Sequence, residues 1–529
     1  MNFFLLFIAM IIVICVLSHQ ISDRLGIPML LIFIVLGMLF GSDGIFEIPF
    51  DNLEVSEKIC STALIIIMFY GGFGTKWESA KPVAKKAIAL STLGVFFTAM
   101  LVGLFCHYVL HMAMAESFLI GALISSTDAA SVFSILRSKR LNLKEGTASL
   151  LEIESGSNDP CAYMLTMIIL TFMEGKVTAG DIFVSLFLQI FWGLAVGFGL
   201  AIITEKFMKK YDFGISGFDT AFVLAIAILS YALSGVLGGN GYLSTYITGI
   251  HLGNQWIPNK KVLVHFFDGL TSIMQMLIFF LLGLLSFPSQ LPGVLMTSLA
   301  ITLFLTFVAR PISVFALLTP MKSSKSQQLL VSFCGLRGAA SIVFAIMATI
   351  HEASFHNDVF HIIFCIVLFS IALQGTLIPF APEKLNMVDE NENVLKTFND
   401  YSKEANLTFM QAKIDENHEW LNKTIESLRL PSHMLIVLVI RNGHSLVPDG
   451  ATILKSGDEL VLSGLAYENS KTALLRETKI EHGDERIGKK LSELSGEIPK
   501  LVVLIKRDES FFIPDGKTVL LKDDVLVYH

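Results

Sequence analysis

The chain has 529 residues, of which 53% are hydrophobic and only 16% charged, and its net charge is −7. Residues 1–383 carry 42 charged side chains, whereas the much shorter remainder, residues 384–529, carries 43. Soluble domains average about 25% charged residues, so the composition excludes a wholly soluble enzyme, a secreted disulfide scaffold and a basic nucleic-acid-binding protein. It predicts a membrane domain (1–382) followed by a soluble domain.

Thirteen apolar segments are candidates for membrane-spanning helices, which need about 20 mostly apolar residues. The second and ninth are short enough to be re-entrant. The segments cover residues 2–18, 28–42, 59–75, 86–112, 117–137, 153–173, 181–204, 217–237, 241–253, 262–287, 291–319, 327–350 and 358–381. The six cysteines lie in or beside these segments, and no spacing among them predicts a metal site or a disulfide framework.

The loop charges predict the orientation. Alternate loops, starting with the one after the first segment, hold sixteen Lys and Arg residues, whereas the other loops hold only Lys58 and Lys176. The positive-inside rule therefore places the N-terminus outside and, with an odd number of spans, the C-terminal domain in the cytoplasm. The chain is thus expected in a bacterial inner membrane.

Small polar residues interrupt the fifth and twelfth segments. The first break reads SSTDAAS at 125–131, and the second break reads GLRGAAS at 335–341. Two such breaks are typical of transporter sites built from inverted repeats, although close helix packing through small residues is an alternative. Each break carries a charge, Asp128 or Arg337, and because intramembrane charges are costly and usually functional, a site is favoured.

The sixth segment opens with the polar sequence EIESGSNDP at 152–160. In a helix, Glu154 and Asn158 share one face, and Ser155 and Asp159 share another. A lone Asp at a helix start is usually a cap. Here a carboxylate, an amide and hydroxyls gather at the start of an apolar helix, which predicts an oxygen cage for a hard monovalent cation.

Five motifs together resemble the NhaP-type branch of the monovalent cation/proton antiporters. They are Thr127-Asp128 in the fifth segment, Asn158-Asp159 in the sixth, GLRG at 335–338, GGNGYL at 238–243 running to Gly253-Asn254, and Arg310-Pro311. The last two resemble the potassium/proton members of the family. The family's Thr-Asp-Pro pattern departs here, since Ala129 stands in place of the proline.

The resemblance implies an α-helical polytopic membrane protein with inverted repeats that works as an elevator-type homodimer without a cofactor. It implies that Asp159 binds the cation or the proton. The residues expected to complete or support this site are Asn158, Ser155, Glu154, Thr127 and Asp128. Asn158 in place of a second aspartate implies electroneutral exchange, because a single titrating carboxylate trades one proton for one cation.

The other intramembrane charges have more than one interpretation. Arg337 is expected to pair with Glu154, either within the site or as a purely structural ion pair. Asp128 is expected either to contact the ion or to cap the broken helix. Arg310 is expected to be structural.

The soluble part begins with a polar linker, predicted over 383–406, and continues as an internal repeat at an offset of 66. LIVL at 435–438 matches LVVL at 501–504, and Pro-Asp-Gly occurs at 448–450 and 514–516. Each copy predicts a short helix, a strand, a turn and a closing strand. The expected domain is therefore α+β with tandem repeats at 407–477 and 478–529, and residues 466–476 are a candidate helix between them.

Each copy resembles the C-terminal lobe of potassium-conductance regulator domains, the TrkA-C type, in the pattern running from Ile440 to Leu460. The resemblance implies a regulatory lobe that dimerises and can bind a small ligand such as cyclic di-AMP. A dimer clamp that binds nothing is the alternative. The soluble part has no Gly-x-Gly-x-x-Gly fingerprint, so no nucleotide-binding N-lobe is expected.

These observations favour a potassium (or sodium)/proton antiporter serving pH and volume homeostasis and regulated by its cytoplasmic domain. A sodium/proton antiporter is the first alternative, because oxygen ligands do not reveal the ion. A gated cation channel is the second, disfavoured because no Thr-Val-Gly-Tyr-Gly-like filter occurs. No enzyme motif is present. The expected partners are potassium or sodium ions, protons, membrane lipid and a second copy of the chain, but not nucleic acid.

Overall fold

The chain divides into a membrane unit, residues 1–393, and a C-terminal unit, residues 394–529. The computed structural model describes residues 9, 12–17, 28–50, 52–128, 131–132, 143–175, 178–211, 217–351, 355–389, 407–415, 418–428, 430–431, 434–441, 444–446, 448–465, 476–481, 484–494, 502–507, 510–512 and 514–528. Most of the first expected segment, the loop cations at 24, 137, 139 and 140, most of the expected linker and nearly all of the candidate helix at 466–476 lie outside these residues.

Each expected segment from 28–42 onward contains a described helix. In chain order these helices are α1 (Met29–Phe40), α2 (Leu53–Gly74), α3 (Trp77–Ala80), α4 (Ala84–Tyr108), α5 (Met114–Leu123), α6 (Thr147–Met173), α7 (Ala179–Lys210), α8 (Phe218–Val236), α9 (Gly241–Asn254), α10 (Lys260–Leu285), α11 (Leu291–Leu318), α12 (Lys325–Phe333), α13 (Ala339–Ile350), α14 (Val359–Gly375) and α15 (Phe380–Lys384). Within the described ranges, five helices are long and apolar enough to cross a membrane, namely α4, α7, α8, α10 and α11. The total of thirteen spans and the inverted repeat remain predictions.

Both expected breaks interrupt helices where the described residues cover them. Helix α5 ends at Leu123, residues 126–128 are not helical, and helix resumes at 131–132. Helix α12 ends at Phe333, and α13 begins at Ala339. The two breaks meet, because the Asp128 amide donates a hydrogen bond of 2.8 Å to the Leu336 carbonyl. The charges of both breaks are thereby brought to one place.

Glycines bring α2 and α9 into direct backbone contact beside the breaks. A Cβ at Gly249 would lie 3.0 Å from the Phe73 amide nitrogen, and one at Gly253 would lie 2.7 Å from the Phe73 carbonyl carbon. Larger residues would push the helices apart. The two helices are therefore closely packed, and α6 contacts both of them.

The membrane unit extends beyond α15 into the expected linker. The Lys144 amide donates a hydrogen bond of 2.9 Å to the Met387 carbonyl, and Leu143 forms an antiparallel bridge with Val388. Met387 is only 2% exposed. Residues 383–388 therefore pack on the loop that precedes α6, which places the start of any free linker after Val388.

The C-terminal unit contains two four-stranded antiparallel sheets of one topology. The first has the order β1-β4-β2-β3, and the second has the order β5-β8-β6-β7. The strands are β1 (Leu407–Lys413), β2 (Leu435–Arg441), β3 (His444–Leu446), β4 (Glu459–Leu465), β5 (Arg476–Lys479), β6 (Val502–Arg507), β7 (Ser510–Phe512) and β8 (Val525–Tyr528). The expected boundary at 477/478 falls inside β5, which pairs with β8, so the second copy begins earlier. The predicted short helices are single 3₁₀ turns.

Each sheet contains the same ion pair, between a partly exposed arginine and a buried aspartate. The Arg441 guanidinium donates two hydrogen bonds of 2.7 Å to Asp458, and Arg507 binds Asp524 in the same way. Asp458 is fully buried. The hydrogen bond from Arg441 stabilises the ionised carboxylate and so lowers the pKa of Asp458 below its ordinary value.

Candidate functional site

Helix α6 carries four of the six predicted site residues. Glu154, Ser155, Asn158 and Asp159 are all buried, with exposed fractions of 1%, 8%, 0% and 9%. Ser155 and Asn158 bind Thr127 of the first break, whereas Glu154 binds Arg310 of α11. Pro160 lies inside α6 and cannot donate to the carbonyl four residues earlier, which loosens the backbone beside Asp159.

Asp159 faces a cavity of about 370 Å³. The cavity is lined by residues of α2, α6, α10 and both breaks: Leu64, Ile67, Met68, Tyr70, Gly71, Gly74, Ser126, Thr127, Asp128, Glu152, Ser155, Gly156, Asp159, Asp268, Thr271, Ser272, Gln275, Gly338, Ala339 and Ala340. Asp159 Oδ1 has no hydrogen-bond partner. The Ser126 hydroxyl and the Asp128 carboxylate lie close enough to interact with the Asp159 carboxyl group.

Thr127 is held in place by two α6 side chains. The Ser155 hydroxyl donates a hydrogen bond of 2.7 Å to the Thr127 carbonyl, and Asn158 Nδ2 donates one of 2.6 Å to Thr127 Oγ1. Ser155 and Thr127 line the cavity, whereas Asn158 does not. Asn158 is therefore placed to position the first break, while the hydroxyl and carbonyl oxygens remain near the cavity.

Asp128 caps helix ends as well as lining the cavity. Its Oδ1 accepts a hydrogen bond of 3.1 Å from the Ser131 amide, and its Oδ2 accepts one of 2.5 Å from the Ser131 hydroxyl. The carboxylate also packs against Gly338, where a Cβ would lie 2.6 Å from Asp128 Cγ. Asp128 thus stands at the beginning of two helical segments, where a negative charge is favourable.

The expected ion pair between Arg337 and Glu154 is wrong. Arg337 Nη1 donates instead to the carbonyls of Ser125 and Ser126, at 3.0 and 2.5 Å, beyond the C-terminal end of α5. Free carbonyls at a helix end attract a cation. Glu154 Oε1 accepts a hydrogen bond of 2.5 Å from Arg310 Nη2, and both side chains are at most 3% exposed.

Several polar side chains of the cavity were not predicted as site residues, among them two carboxylates. Glu152 and Asp268 line the cavity, and the Tyr70 hydroxyl donates a hydrogen bond of 3.1 Å to Asp268. Glu152 lies in the polar sequence that opens the sixth segment, so that pattern contained a usable signal. Asp268 is near a segment end, where a carboxylate is more often a surface group.

The arrangement offers carboxylate, hydroxyl and carbonyl oxygens to a hard monovalent cation. The described part of the chain contains no group of three or more His, Cys, Asp or Glu side chains suited to a resident metal ion. A single buried carboxylate in an accessible cavity can exchange a proton for a cation without any covalent step.

Comparisons with known proteins identify the family of the membrane unit and one domain of the C-terminal unit. The sodium/hydrogen exchanger transmembrane family matches residues 8–384, and the TrkA-C domain matches residues 409–466. The K(+)/H(+) antiporter NhaP of Alkalimonas amylolytica is 38% identical over 376 residues, which are 71% of this chain and 65% of that protein. The K(+)/H(+) antiporter NhaP2 of Shewanella baltica (strain OS223) is 32% identical over 479 residues, 89% of this chain and 82% of that protein.

A solved structure shares the fold of the membrane unit. The sodium proton antiporter MjNhaP1 from Methanocaldococcus jannaschii is 26% identical with a TM-score of 0.64, and the match covers 72% of this chain and 97% of that chain. The resemblance predicted from the motifs is thus confirmed, and the relatives are transporters, not enzymes. The chain belongs to the sodium/hydrogen exchanger family of membrane cation/proton antiporters, and it carries a TrkA-C domain at its C-terminal end.

Proposed function

We propose that the protein is a secondary active antiporter that exchanges cytoplasmic potassium for protons, with Asp159 binding the cation and the proton in turn. The position of Asp159 carries this proposal. The side chain is only 9% exposed, faces a cavity of about 370 Å³ and has an oxygen, Oδ1, without a hydrogen-bond partner. A buried polar atom without a partner costs free energy, and a bound cation or proton removes that cost.

The structure supports an assignment of the cavity to the cytoplasmic side. Two of its lining residues, Gly74 and Asp268, are exposed, so the cavity reaches the surface where α2 ends and α10 begins. Lys76 follows α2, and Lys260 and Lys261 begin α10 at this end; the positive-inside rule assigns such cation-rich ends to the cytoplasm. The protein is therefore in an inward-open arrangement, with its N-terminus outside.

Strict exchange follows from the cost of moving an uncompensated charge. If α6 and the two breaks move as an elevator core against the rest of the membrane unit, an empty ionised Asp159 would cross a region of low dielectric, which is unfavourable. A bound cation or proton neutralises it and allows the movement. The Glu154–Arg310 pair is already compensated, so one carboxylate titrates and the exchange is electroneutral, one proton for one cation.

The relatives support potassium as the first candidate and sodium as the second. The two relatives that match at 38% and 32% identity are K(+)/H(+) antiporters. The solved relative at 26% identity is a sodium proton antiporter, which favours sodium as the alternative ion. A gated channel has less support, because these relatives are antiporters.

The C-terminal unit supplies regulation in this proposal. Residues 409–466 match the TrkA-C domain, and we infer that the unit dimerises and responds to a small ligand such as cyclic di-AMP. The transporter works as a homodimer in the bacterial inner membrane, where potassium/proton exchange adjusts cytoplasmic pH and volume. No resident cofactor takes part.

Cation-driven proton flux in reconstituted vesicles tests the function. Potassium and sodium gradients are compared for the wild type, Asp159→Asn and the control Glu54→Gln, whose exposed carboxylate lies at the start of α2. We expect potassium-driven flux that Asp159→Asn abolishes and Glu54→Gln preserves. Full exchange by Asp159→Asn would contradict the role of Asp159, and a membrane potential generated under symmetric conditions would contradict electroneutral exchange.

A further inference from the structure

Helix α9 contacts the site helix α6 on both sides of Asp159. Its beginning contains the GGNGYL sequence at 238–243, none of whose residues lines the cavity. The contacts involve Asn240, Tyr242 and Tyr246, which meet α6 at Pro160, Tyr163 and Gly156 respectively. This segment therefore touches the moving part of the proposed transporter without touching its ion.

Asn240 makes a polar contact between the two helices. The side chain is fully buried, and its Nδ2 donates a hydrogen bond of 2.9 Å to the Pro160 carbonyl, one residue beyond Asp159. Its Oδ1 accepts one of 3.0 Å from the Leu243 amide and so caps α9. The side-chain amide of Asn240 thus both caps α9 and fixes the position of α6 along the α9 axis.

Two aromatic residues of α9 complete the contact. The Tyr242 ring packs edge-on against Tyr163 at 5.2 Å between centroids and against Phe344 of α13 at 5.8 Å. Tyr246 lies on Gly156, where a Cβ would be 2.7 Å from the tyrosine hydroxyl oxygen. The two rings therefore pack against α6 before and after Asp159 in the chain, at Gly156 and Tyr163.

We propose that Asn240 is a positioning residue for exchange, whose hydrogen bond to the Pro160 carbonyl, together with the fit of Tyr246 on Gly156, stabilises the inward-open state relative to the outward-open state. The inference rests on the proposed antiport function, since movement of α6 along α9 must break this bond. Asn240 does not touch the ion. Its effect is on the equilibrium between the two states.

The equilibrium can be read from transport measured from both faces. An apparent KM equals the intrinsic value divided by the fraction of protein in the competent state. The ratio of the cytoplasmic to the outer apparent KM for potassium therefore follows the ratio of outward to inward protein. A net hydrogen bond changes such an equilibrium roughly two- to tenfold, whereas a loss of folded protein lowers only the maximal rate.

The test measures both KM values in inside-out and right-side-out vesicles for Asn240→Ser. Serine retains a helix-capping oxygen but is too short to reach the Pro160 carbonyl. The matched control is Asn52→Ser, because Asn52 also caps a helix, α2, but is exposed. We expect the KM ratio to rise roughly two- to tenfold in Asn240→Ser and to stay unchanged in Asn52→Ser.

A second variant keeps the proposal testable if Asn240→Ser folds poorly. Gly156→Ala places a methyl group against Tyr246 and should raise the same ratio, while Gly199→Ala in α7, where a Cβ meets nothing within 4 Å, should not. An unchanged ratio in either active test variant overturns the inference. Absence of potassium- or sodium-driven exchange in the wild type would instead overturn the proposed function, so the two failures are distinguishable.

Discussion

Replacement of Arg310 by glutamine should destabilise the membrane unit strongly, because it leaves Glu154 buried without its partner. The two side chains are 3% and 1% exposed, and Arg310 Nη2 lies 2.5 Å from Glu154 Oε1. The other carboxylate oxygen, Glu154 Oε2, has no hydrogen-bond partner. Removing one member of a buried ion pair costs about 3–5 kcal/mol, and here Arg310 provides the only described hydrogen bond to the carboxylate.

The double variant Glu154→Gln/Arg310→Gln should be less destabilised than the sum of the single variants. Both charges are then absent, and the two amides can bond to each other. The expected coupling energy is about 2–3 kcal/mol, near the upper end for residues in direct contact. Thermal unfolding of the purified protein, followed by the helical circular dichroism signal, should place the midpoint of the double variant above that of Arg310→Gln.

The cycle of Glu154→Gln with Arg337→Gln is the matched control. Arg337 Nη1 binds the carbonyls of Ser125 and Ser126 instead of Glu154, so these two substitutions should combine more nearly additively. Additive effects for Arg310 together with a large coupling for Arg337 would refute the pairing derived from the structure.

Three further predictions concern the first break, the C-terminal unit and the last residues of the membrane unit. Thr127→Val removes the acceptor of Asn158 Nδ2 and should raise the apparent KM for potassium roughly tenfold, since an unpaired buried donor costs about 1–3 kcal/mol; Thr171→Val, whose hydroxyl bonds only within α6, should leave it unchanged. Arg441→Ala should cost the first sheet about 2–3 kcal/mol, less than for a fully buried pair because Arg441 is 30% exposed, and amide hydrogen exchange of β2 and β4 in the full chain should show it. Because the folded state lowers the pKa of Asp458, the contribution is complete above the unfolded pKa of about 4 and is lost as pH falls through the folded value. Truncation after Asp389 should retain exchange and lose only regulation. Truncation after Glu383 also removes the contacts of Met387 and Val388 and should lower the midpoint of thermal unfolding. Equal midpoints for the two truncated proteins would contradict a stabilising role for these contacts.

The positions of the two breaks could be predicted because polar residues and a charge stand out in an apolar segment. The partner of Glu154 could not, since Arg310 is 156 positions away in the chain. A linear pattern shows which charges are buried, but it does not show which helices meet. Arg337 was chosen as the partner because it lies in one of the two breaks. The backbone carbonyls that it binds instead cannot be recognised from a pattern of side chains.

The repeat in the C-terminal unit was recognised from its matching strands and turns, but the first strand of each copy was not. At an offset of 66, Met410, Gln411 and Ala412 of β1 align with Arg476, Glu477 and Thr478 of β5 without identity, and only the last residue of each strand is the same, Lys413 and Lys479. Both strands pair with the closing strand of their own sheet, and backbone pairing requires no particular side chains. One shared lysine at the end of a strand is too little sequence identity to reveal this part of the repeat.

Asp128, Arg337 and Glu154 each have a polar partner that fixes the side chain, with Asp159 as the contrasting case. Asp128 caps helix starts through Ser131, Arg337 binds carbonyls at the end of α5, and Glu154 binds Arg310. Glu154 and Asp159 each have one oxygen without a hydrogen-bond partner, but of the two only Asp159 lines the cavity. In the proposed elevator movement, side chains that keep their partners can move with α6 at little electrostatic cost, whereas Asp159 has to acquire a cation or a proton first. On this proposal, the occupancy of one carboxylate is the condition for movement, which is the requirement for exchange without leak.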